Sequence, residues 1–376
     1  MINNSRVAII SNTSWSIYNF RRELIVSLQG AGYTVICIAP IDQFTEKISA
    51  ELNCEFFPLH HLEAKGSNLF QDLKLIAEFR SLFKRTRIHV VVSYTAKPNI
   101  YGNLGALGLP ITIINTVNGL GEGLAKNNWL SKLLRFLYRM AFKKSTFVFF
   151  QNPDDKNYFL TYGILKAGKT TLVNGSGVDL ERFSEKQHDH REHSQLVFLM
   201  SARLVKEKGL IEFMEAAISI KKKYPEVTFL ISGIKSQGSG DLEKQLSSCD
   251  AITYLGPEHN MNSLLERTDV LLLPSYYREG IPRVLLEGLS KGIPIITTDN
   301  VGCKETVREG WNGYCIPVRN VESLIHAILK IIESPNEQRI QMGKNSRKLA
   351  EKKFDVHAIN AVYLRHINQC NESICH

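Results

Sequence analysis

The stretch Pro274-Ser-Tyr-Tyr-Arg-Glu-Gly-Ile-Pro-Arg-Val-Leu-Leu-Glu287 gathers two carboxylates, a glycine and a proline at the end of an apolar run. The run reads as a strand, and Pro282 is favoured in the first turn of the helix expected after it. Gly280 lets the backbone approach a ligand closely, and the N–H groups at a helix start suit an anion such as a pyrophosphate. Ser275, Gly280, Ile281 and Pro282 are therefore candidate ligand-binding positions. Glu279 closes the loop, while Glu287 sits within the helix about two turns on from it. A carboxylate can accept two hydrogen bonds from vicinal hydroxyls, so both glutamates suit a sugar or a ribose. Taken singly, Glu279 would serve as well as a helix-dipole partner and Glu287 as a solvated helix residue. Strand, glycine, proline and spacing in one segment favour the ligand-binding reading.

A second cluster follows another apolar run, in Ser201-Ala-Arg-Leu-Val-Lys-Glu-Lys-Gly209. It places Arg203 and Lys208 at the carboxyl edge of a sheet. The planar fork of arginine chelates phosphate oxygens and lysine adds a mobile point charge. Together they could neutralise a leaving diphosphate without a metal. The alternative is an exposed basic loop, which suits Lys206 better than Arg203 or Lys208.

Short β-branched runs alternating with helix-period segments are the pattern of βαβ units. In the first half the spacing predicts strands over Val7–Ser11, Thr34–Ala39, Glu55–Leu59, Val90–Ser93, Ile111–Asn115, Phe147–Gln151 and Thr171–Val173. Helices are expected to begin near Ile17, Leu69, Asn99, Trp129 and Pro153. A second series predicts strands over Leu196–Ser201, Thr228–Ser232, Ile252–Leu255, Val270–Leu273 and Ile295–Thr297. Its helices include Gly209–Lys222 and Pro282–Lys291, and the chain reads as helical after Val318. The polar, aperiodic 185–195 separates the two series as a linker. The expected division is thus 1–184, a linker over 185–195, a second domain over 196–354, and a closing helix over 355–376 packed back on the first domain. At 376 residues the chain exceeds what one core usually serves. Two doubly wound α/β domains follow, with a cleft between them at the carboxyl ends of their strands.

The formal charge of +9 is unevenly spread. Through Asp179 there are 20 basic side chains against 12 acidic, and beyond it 26 against 25. Between Leu124 and Phe150, Lys126, Lys132, Arg135, Arg139, Lys143 and Lys144 occur without an acid, among Trp129, Leu133, Leu134, Phe136, Leu137 and Tyr138. Such a segment either lies on an anionic membrane, with Trp129, Lys132, Arg135, Arg139 and Lys143 as its contacts, or is a core helix with a basic solvated face. No nucleic-acid module accompanies the charge, so no nucleic-acid partner is expected. No run reaches the ~18 apolar residues of a membrane span, and the opening residues lack a signal-peptide stretch. The expected place is the cytoplasm, peripheral on the inner face of the membrane. Seven cysteines without CxxC spacing, with Cys37, Cys54 and Cys249 in or beside apolar runs, read as reduced and mostly buried thiols.

Arg203 and Lys208, followed by Glu279 and Glu287, resemble the donor-site signature of glycosyltransferase family four, whose members adopt the GT-B fold. Asn174-Gly-Ser-Gly-Val-Asp-Leu-Glu-Arg-Phe183, Gly302-Cys-Lys-Glu-Thr-Val307 and Asn312-Gly313 extend the match over nearly the whole chain. The resemblance implies a retaining enzyme in which Arg203, Lys208 and the helix start stabilise the leaving diphosphate, Glu279 holds sugar hydroxyls and Glu287 the ribose. Ser16-Ile-Tyr-Asn-Phe-Arg21, the stretch from Ser93 to Gly102 containing Lys97, and Thr116-Val-Asn-Gly-Leu-Gly121 are similar to bacterial enzymes that elongate polyprenyl-diphosphate-linked saccharides. That similarity implies a UDP-sugar donor, often an N-acetylhexosamine, and makes Ser16, Tyr18, Arg21, Lys97, Asn118 and Glu122 acceptor-binding candidates. Lys97 would meet an acceptor diphosphate or else be a strand-end surface lysine. Glu122 departs from the bulky apolar or aromatic residue expected after the loop glycines. Asn12-Thr-Ser-Trp-Ser16 lacks the paired glycines many relatives place beside the phosphates.

A dinucleotide oxidoreductase would need GxGxxG after the first strand, and Ser11 to Ser16 contains no glycine. His188, His190 and His193 with Asp189 read as solvated linker side chains rather than a metal site, and no DxD motif is present. No metal cofactor is expected. An acceptor on a lipopolysaccharide core, a soluble acceptor, or an inactive basic membrane or nucleic-acid binding module are the competing readings.

Overall fold

The computed structural model describes residues 5–63, 68–125, 128–187, 195–236, 239–258 and 260–372. Two compact units divide the chain, one of Met1–Ser176 with Val356–His376 and one of Gly177–Asp355. The linker histidines His188, His190 and His193, with Asp189, lie outside the described residues.

The first unit contains β1 (Arg6–Ile10), β2 (Thr34–Ala39), β3 (Glu55–Pro58), β4 (Val90–Tyr94), β5 (Thr112–Val117), β6 (Phe147–Phe150) and β7 (Thr170–Leu172). They form one sheet in the order β3-β2-β1-β4-β5-β6-β7, with every pairing parallel. The second unit contains β8 (Val197–Ser201), β9 (Thr228–Ser232), β10 (Thr253–Tyr254), β11 (Val270–Leu273), β12 (Ile295–Thr298) and β13 (Gly313–Ile316). Their order is β10-β9-β8-β11-β12-β13, again all parallel. Strand order therefore reverses at β1/β4 in one unit and β8/β11 in the other, the switch points where doubly wound sheets bind ligands. Strands β4, β11 and β12 are buried along their whole length, which explains why they read as continuous apolar runs.

Helices start where a side chain can satisfy the first N–H groups. Thr13 caps Ser14–Gly30, Asn68 caps Leu69–Thr86, Asn128 forms a capping box with Ser131 for Trp129–Ala141, and Asn152 caps Pro153–Thr161. The segment expected near Asn99 is helical from Pro98, and its first turn is a π turn. The sequence pattern missed β13, because its first residue, Gly313, carries no side-chain signal. Gly313 has φ 151°, and a Cβ there would meet the Ile295 carbonyl oxygen at 1.8 Å. Helix Thr45–Leu52 was also missed, being too short to show a period.

The chain enters the second unit at Gly177, ahead of the polar stretch 185–195. Val178 and Phe183 are buried in the second core, and Arg347 Nη1 donates to the carbonyls of Leu180 and Phe183, at 3.2 Å each. Helix Val356–Glu372 belongs to the first unit. Its Ile359, Tyr363 and Ile367 pack with Val7, Ile17 and Leu24, and Tyr363 Oη lies 2.9 Å from Thr116 Oγ1. Cys37 and Cys54 are free and buried, whereas Cys249 is only partly buried.

Candidate active site

In the second unit the loop after β11 is clamped from both sides. Toward β8, the N–H groups of Tyr276 and Tyr277 donate to the Glu207 carbonyl at 2.8 and 2.9 Å. Toward β12, Asn300 Nδ2 donates to the Tyr277 carbonyl at 2.8 Å, and Thr298 Oγ1 donates to that of Ser275. Two glycines allow this packing. Gly209, at φ 82°, would put a Cβ 2.2 Å from the Pro274 oxygen, and Gly302, at φ 83°, would put one 1.9 Å from the Gly280 oxygen. Ser275 is fully buried, donates to Glu207 O and accepts from Tyr277 N, so its hydroxyl holds the loop together.

On this frame Lys208 Nζ donates to Glu279 Oε1 as an ion pair. The lysine side chain is 8% exposed and the glutamate 22%. The Arg203 guanidinium and the Lys208 ammonium lie 5.4 and 5.5 Å from the Tyr277 ring centroid. Tyr277, which sequence reasoning did not single out, thus orients both cations through its ring. The buried Cys303 thiol adjoins the pair. Burial, then the Glu279 charge, push its pKa up to about 12, against the opposing pull of Lys208 and the Thr297 and Thr298 hydroxyls. Arg203 is exposed, and Gly280, Ile281 and Pro282 are buried in the loop that leads into helix Arg283–Ser290, where Pro282 is the N-cap.

Glu287 lies in that helix and meets Arg283 Nε at 3.1 Å. Burial raises its carboxyl above the usual range, while Arg283, then Arg182, pull it back. Arg283 Nη1 also donates to the Gly177 carbonyl at 2.9 Å. The segment from Asn174 to Phe183 therefore reaches Glu287 twice, through Gly177 on Arg283 and through Arg182. The second unit brings Arg203, Lys208 and Glu279 to one sheet edge, with Glu287 in the helix beside it.

In the first unit, Arg21 is buried with its guanidinium 3.8 Å from the Tyr94 ring centroid at the end of β4. With the Asn118 amide oriented to satisfy both neighbours, its oxygen accepts from Arg21 Nη2 and its nitrogen donates to Thr116 O, each at 3.2 Å. Arg21 and Asn118 thus come together. Tyr18 is turned to Glu51, donating to Oε2 at 2.6 Å, and Ser16 is buried with its N–H on Thr13 Oγ1. Lys97 pairs at 3.6 Å with Asp72, which also accepts from Tyr101 Oη at 2.7 Å. Between Tyr94 and Lys97, Thr95 holds φ 68°, a conformation a β-branched residue keeps only under constraint. The side chain of Glu122 lies outside the described residues.

Helix Trp129–Ala141 buries Ser131, Tyr138 and Ala141 and leaves Trp129, Leu133, Phe136 and Met140 exposed, Trp129 by 73%. At about 100° per residue these four side chains fall in one stripe, with Lys132 and Arg139 along one flank. The outward face is therefore apolar and bordered by cations. Lys143 is exposed just past the helix end. The guanidiniums of Arg135 and Arg139 are tied to the protein itself. Arg135 lies 4.2 Å from the Tyr162 ring centroid, and Arg139 donates to the carbonyls of Tyr162 and Gly163 at 2.7 and 3.2 Å. No helix among the described residues is long and apolar enough to cross a membrane.

Two doubly wound parallel-sheet units, with cations and a carboxylate at the carboxyl edge of the second, match the GT-B fold. The family described as glycosyl transferases group 1 matches residues 181–349, and that described as glycosyl transferase 4-like matches residues 6–152. Together the two matches span most of the chain, which is a glycosyltransferase with a 4-like first domain and a group 1 second domain. It is 27% identical over 375 residues to the N,N'-diacetylbacillosaminyl-diphospho-undecaprenol alpha-1,3-N-acetylgalactosaminyltransferase of Campylobacter jejuni, covering 96% of this chain and 97% of that protein. It is 25% identical to the UDP-Gal:alpha-D-GlcNAc-diphosphoundecaprenol alpha-1,3-galactosyltransferase of Escherichia coli, with 78% of each covered. Among solved structures, sucrose-phosphate synthase from Thermosynechococcus elongatus matches with a TM-score of 0.80 at 18% identity, covering 98% of this chain and 100% of that one. HepE from Anabaena, in complex with UDP and glucose, matches with a TM-score of 0.79 at 16% identity, covering 97% and 100%. At those identities the likeness is one of fold.

Proposed function

We propose that this glycosyltransferase moves a hexose, an N-acetylhexosamine such as GalNAc or GlcNAc, from a UDP-sugar to a polyprenyl-diphosphate-linked saccharide, with retention and without a metal. The setting is O-antigen, capsule or related glycan assembly at the cytoplasmic face of the membrane. The observation that carries the reading is the convergence of Arg203 and Lys208 on Tyr277, with Glu279 paired to Lys208, at the β8/β11 switch point. In the reaction the anomeric bond to the diphosphate breaks and negative charge grows on the leaving phosphate. Arg203, Lys208 and the start of helix Arg283–Ser290 stabilise that charge, together by several kcal/mol. Glu279 releases part of its hold on Lys208 to accept from sugar hydroxyls, and Glu287 accepts from the ribose. Attack on the same face, with the leaving phosphate taking the acceptor's proton, accounts for retention without a protein nucleophile.

The acceptor reading rests on the names of the relatives together with the first unit. Arg21, Asn118 and Lys97 lie at or beside the carboxyl edge of its sheet, and the exposed stripe from Trp129 to Met140 suits a bilayer that holds the lipid acceptor. Incubating the protein with a panel of nucleotide sugars and short polyprenyl-diphosphate saccharides, then measuring product mass and anomer, tests the proposal. It requires a one-sugar mass increase from a UDP donor, with the donor's anomeric configuration kept. An inverted anomer, or transfer only to lipid-free acceptors, would refute it.

A further inference from the structure

A second apolar surface lies on the same side of the first sheet as helix Trp129–Ala141. Leu75, Phe79, Leu82 and Phe83 of helix Leu69–Thr86 pack on Ile10, Val91 and Ile113, while Tyr138 and Phe142 pack on Val117, Val148 and Phe150. Register and the two-residue alternation of strands put Val91, Ile113, Val117, Val148 and Phe150 on one face. Both helices are crossovers between parallel strands, so both begin at the carboxyl edge of the sheet. Segment Pro98–Gly105 lies between them. Tyr101 packs into both clusters, and Arg80 Nη1 donates to the carbonyls of Gly105 and Leu107.

The outward side of helix Leu69–Thr86 changes character along its length. Its later turns expose Arg80, Ser81 and Lys84, as a solvated helix should. Its first two turns instead expose Leu69, Phe70 and Leu73, by 77%, 64% and 57%. The acid in those turns, Asp72, is turned inward onto Tyr101 and Lys97. The cation there, Lys74, stays exposed with its ammonium 4.4 Å from the Phe70 ring centroid. Three exposed apolar side chains, a cation beside them and the acid of those turns withdrawn make a small copy of the surface of helix Trp129–Ala141, at the same sheet edge.

We infer that Leu69, Phe70 and Leu73 form a second bilayer contact, which dips into the headgroup and acyl boundary of an anionic membrane together with the Trp129 to Met140 stripe. This rests on the membrane-held acceptor proposed above and adds where the bilayer must lie. With two apolar footings flanking Pro98–Gly105, the membrane surface is held level with the strand end that carries Lys97. An acceptor diphosphate at headgroup depth then arrives beside that lysine. Charge complementarity favours the bilayer over a second copy of the chain, because through Asp179 basic side chains outnumber acidic ones 20 to 12.

The test uses the full chain and vesicles of phosphatidylcholine and phosphatidylglycerol in equal parts, with sedimentation as readout. The variants are Leu69→Ser/Phe70→Ser/Leu73→Ser and, separately, Trp129→Ser/Phe136→Ser. All five side chains are exposed, so unfolding temperature and UDP binding should stay at wild-type values in both. Each variant should lower vesicle partitioning by about tenfold, and their combination should nearly abolish it. Loss in the Trp129/Phe136 variant alone would overturn the second contact and leave the helix Trp129–Ala141 reading standing. No partitioning of the wild type would sink both. Self-association in light scattering that the triple variant abolishes, with partitioning intact, would make the patch a contact between copies and overturn the inference.

Discussion

Replacing Lys208 with Met separates the two duties of the Lys208–Glu279 pair. The substitution keeps the stem and removes the charge, so the leaving diphosphate would lose one of the two cations proposed to stabilise it. Loss of one such group costs about 10²- to 10³-fold in turnover. The effect on stability follows from exposure. Breaking a buried ion pair by removing one partner costs roughly 3–5 kcal/mol because a charge is stranded. In Lys208→Met the stranded group is Glu279, which at 22% exposure can recruit water, so the loss should fall below that range, near about 1–2 kcal/mol. In Glu279→Gln the stranded group is Lys208, at 8% exposure, and the loss should be the larger, near about 3 kcal/mol. The double variant should regain part of that stability while its turnover stays as low as that of the worse single variant. Denaturant unfolding with single-turnover kinetics on UDP-GalNAc and the lipid-linked acceptor reads both. Stability effects that add to within about 0.5 kcal/mol would show no coupling. Either that result or near-wild-type turnover in Lys208→Met would refute the reasoning.

Gly209→Ala should destabilise by roughly 2–4 kcal/mol and lower turnover, since it combines a left-handed backbone with a Cβ pressed on the Pro274 carbonyl; wild-type unfolding would contradict it. Burial holds Glu287 protonated to higher pH in the folded chain than in the unfolded one. Its contribution to stability is therefore full below an ordinary glutamate pKa of about 4.3 and declines as pH rises through the raised value. Glu287→Gln should remove that decline, so the variant's unfolding temperature relative to wild type should climb with pH from about 4 upward; a flat difference would show that the carboxyl is not raised. Transfer should persist in a chelator, and loss restored by Mg²⁺ or Mn²⁺ would contradict the metal-free mechanism.

The strands were legible because parallel sheets buried on both faces leave unbroken apolar runs. Thr34–Ala39, Thr228–Ser232 and Val270–Leu273 match the sequence reading residue for residue. Strand β13 was hidden by its opening glycine. The entry into the second unit was hidden because Val178, Leu180 and Phe183 are scattered apolar residues in a polar stretch, and only their packing shows which core they join. At the site, Arg203, Lys208, Glu279 and Glu287 were visible as types at suitable spacing. Their partners were not, since the contacts of Lys208 with Glu279 and of both cations with Tyr277 cross about seventy positions of sequence. The contacts of Arg135 and Arg139 were hidden for the same reason. Composition records a charge but not that its guanidinium is already held by the Tyr162 ring or by backbone carbonyls.

A crystal structure with UDP bound tests the central claim most directly. The diphosphate should sit at the carboxyl edge of β8 and β11, within hydrogen-bonding distance of Arg203 and Lys208 and against the backbone from Gly280 to Arg283. A nucleotide found elsewhere, or those two cations left without a phosphate oxygen between them, would contradict it.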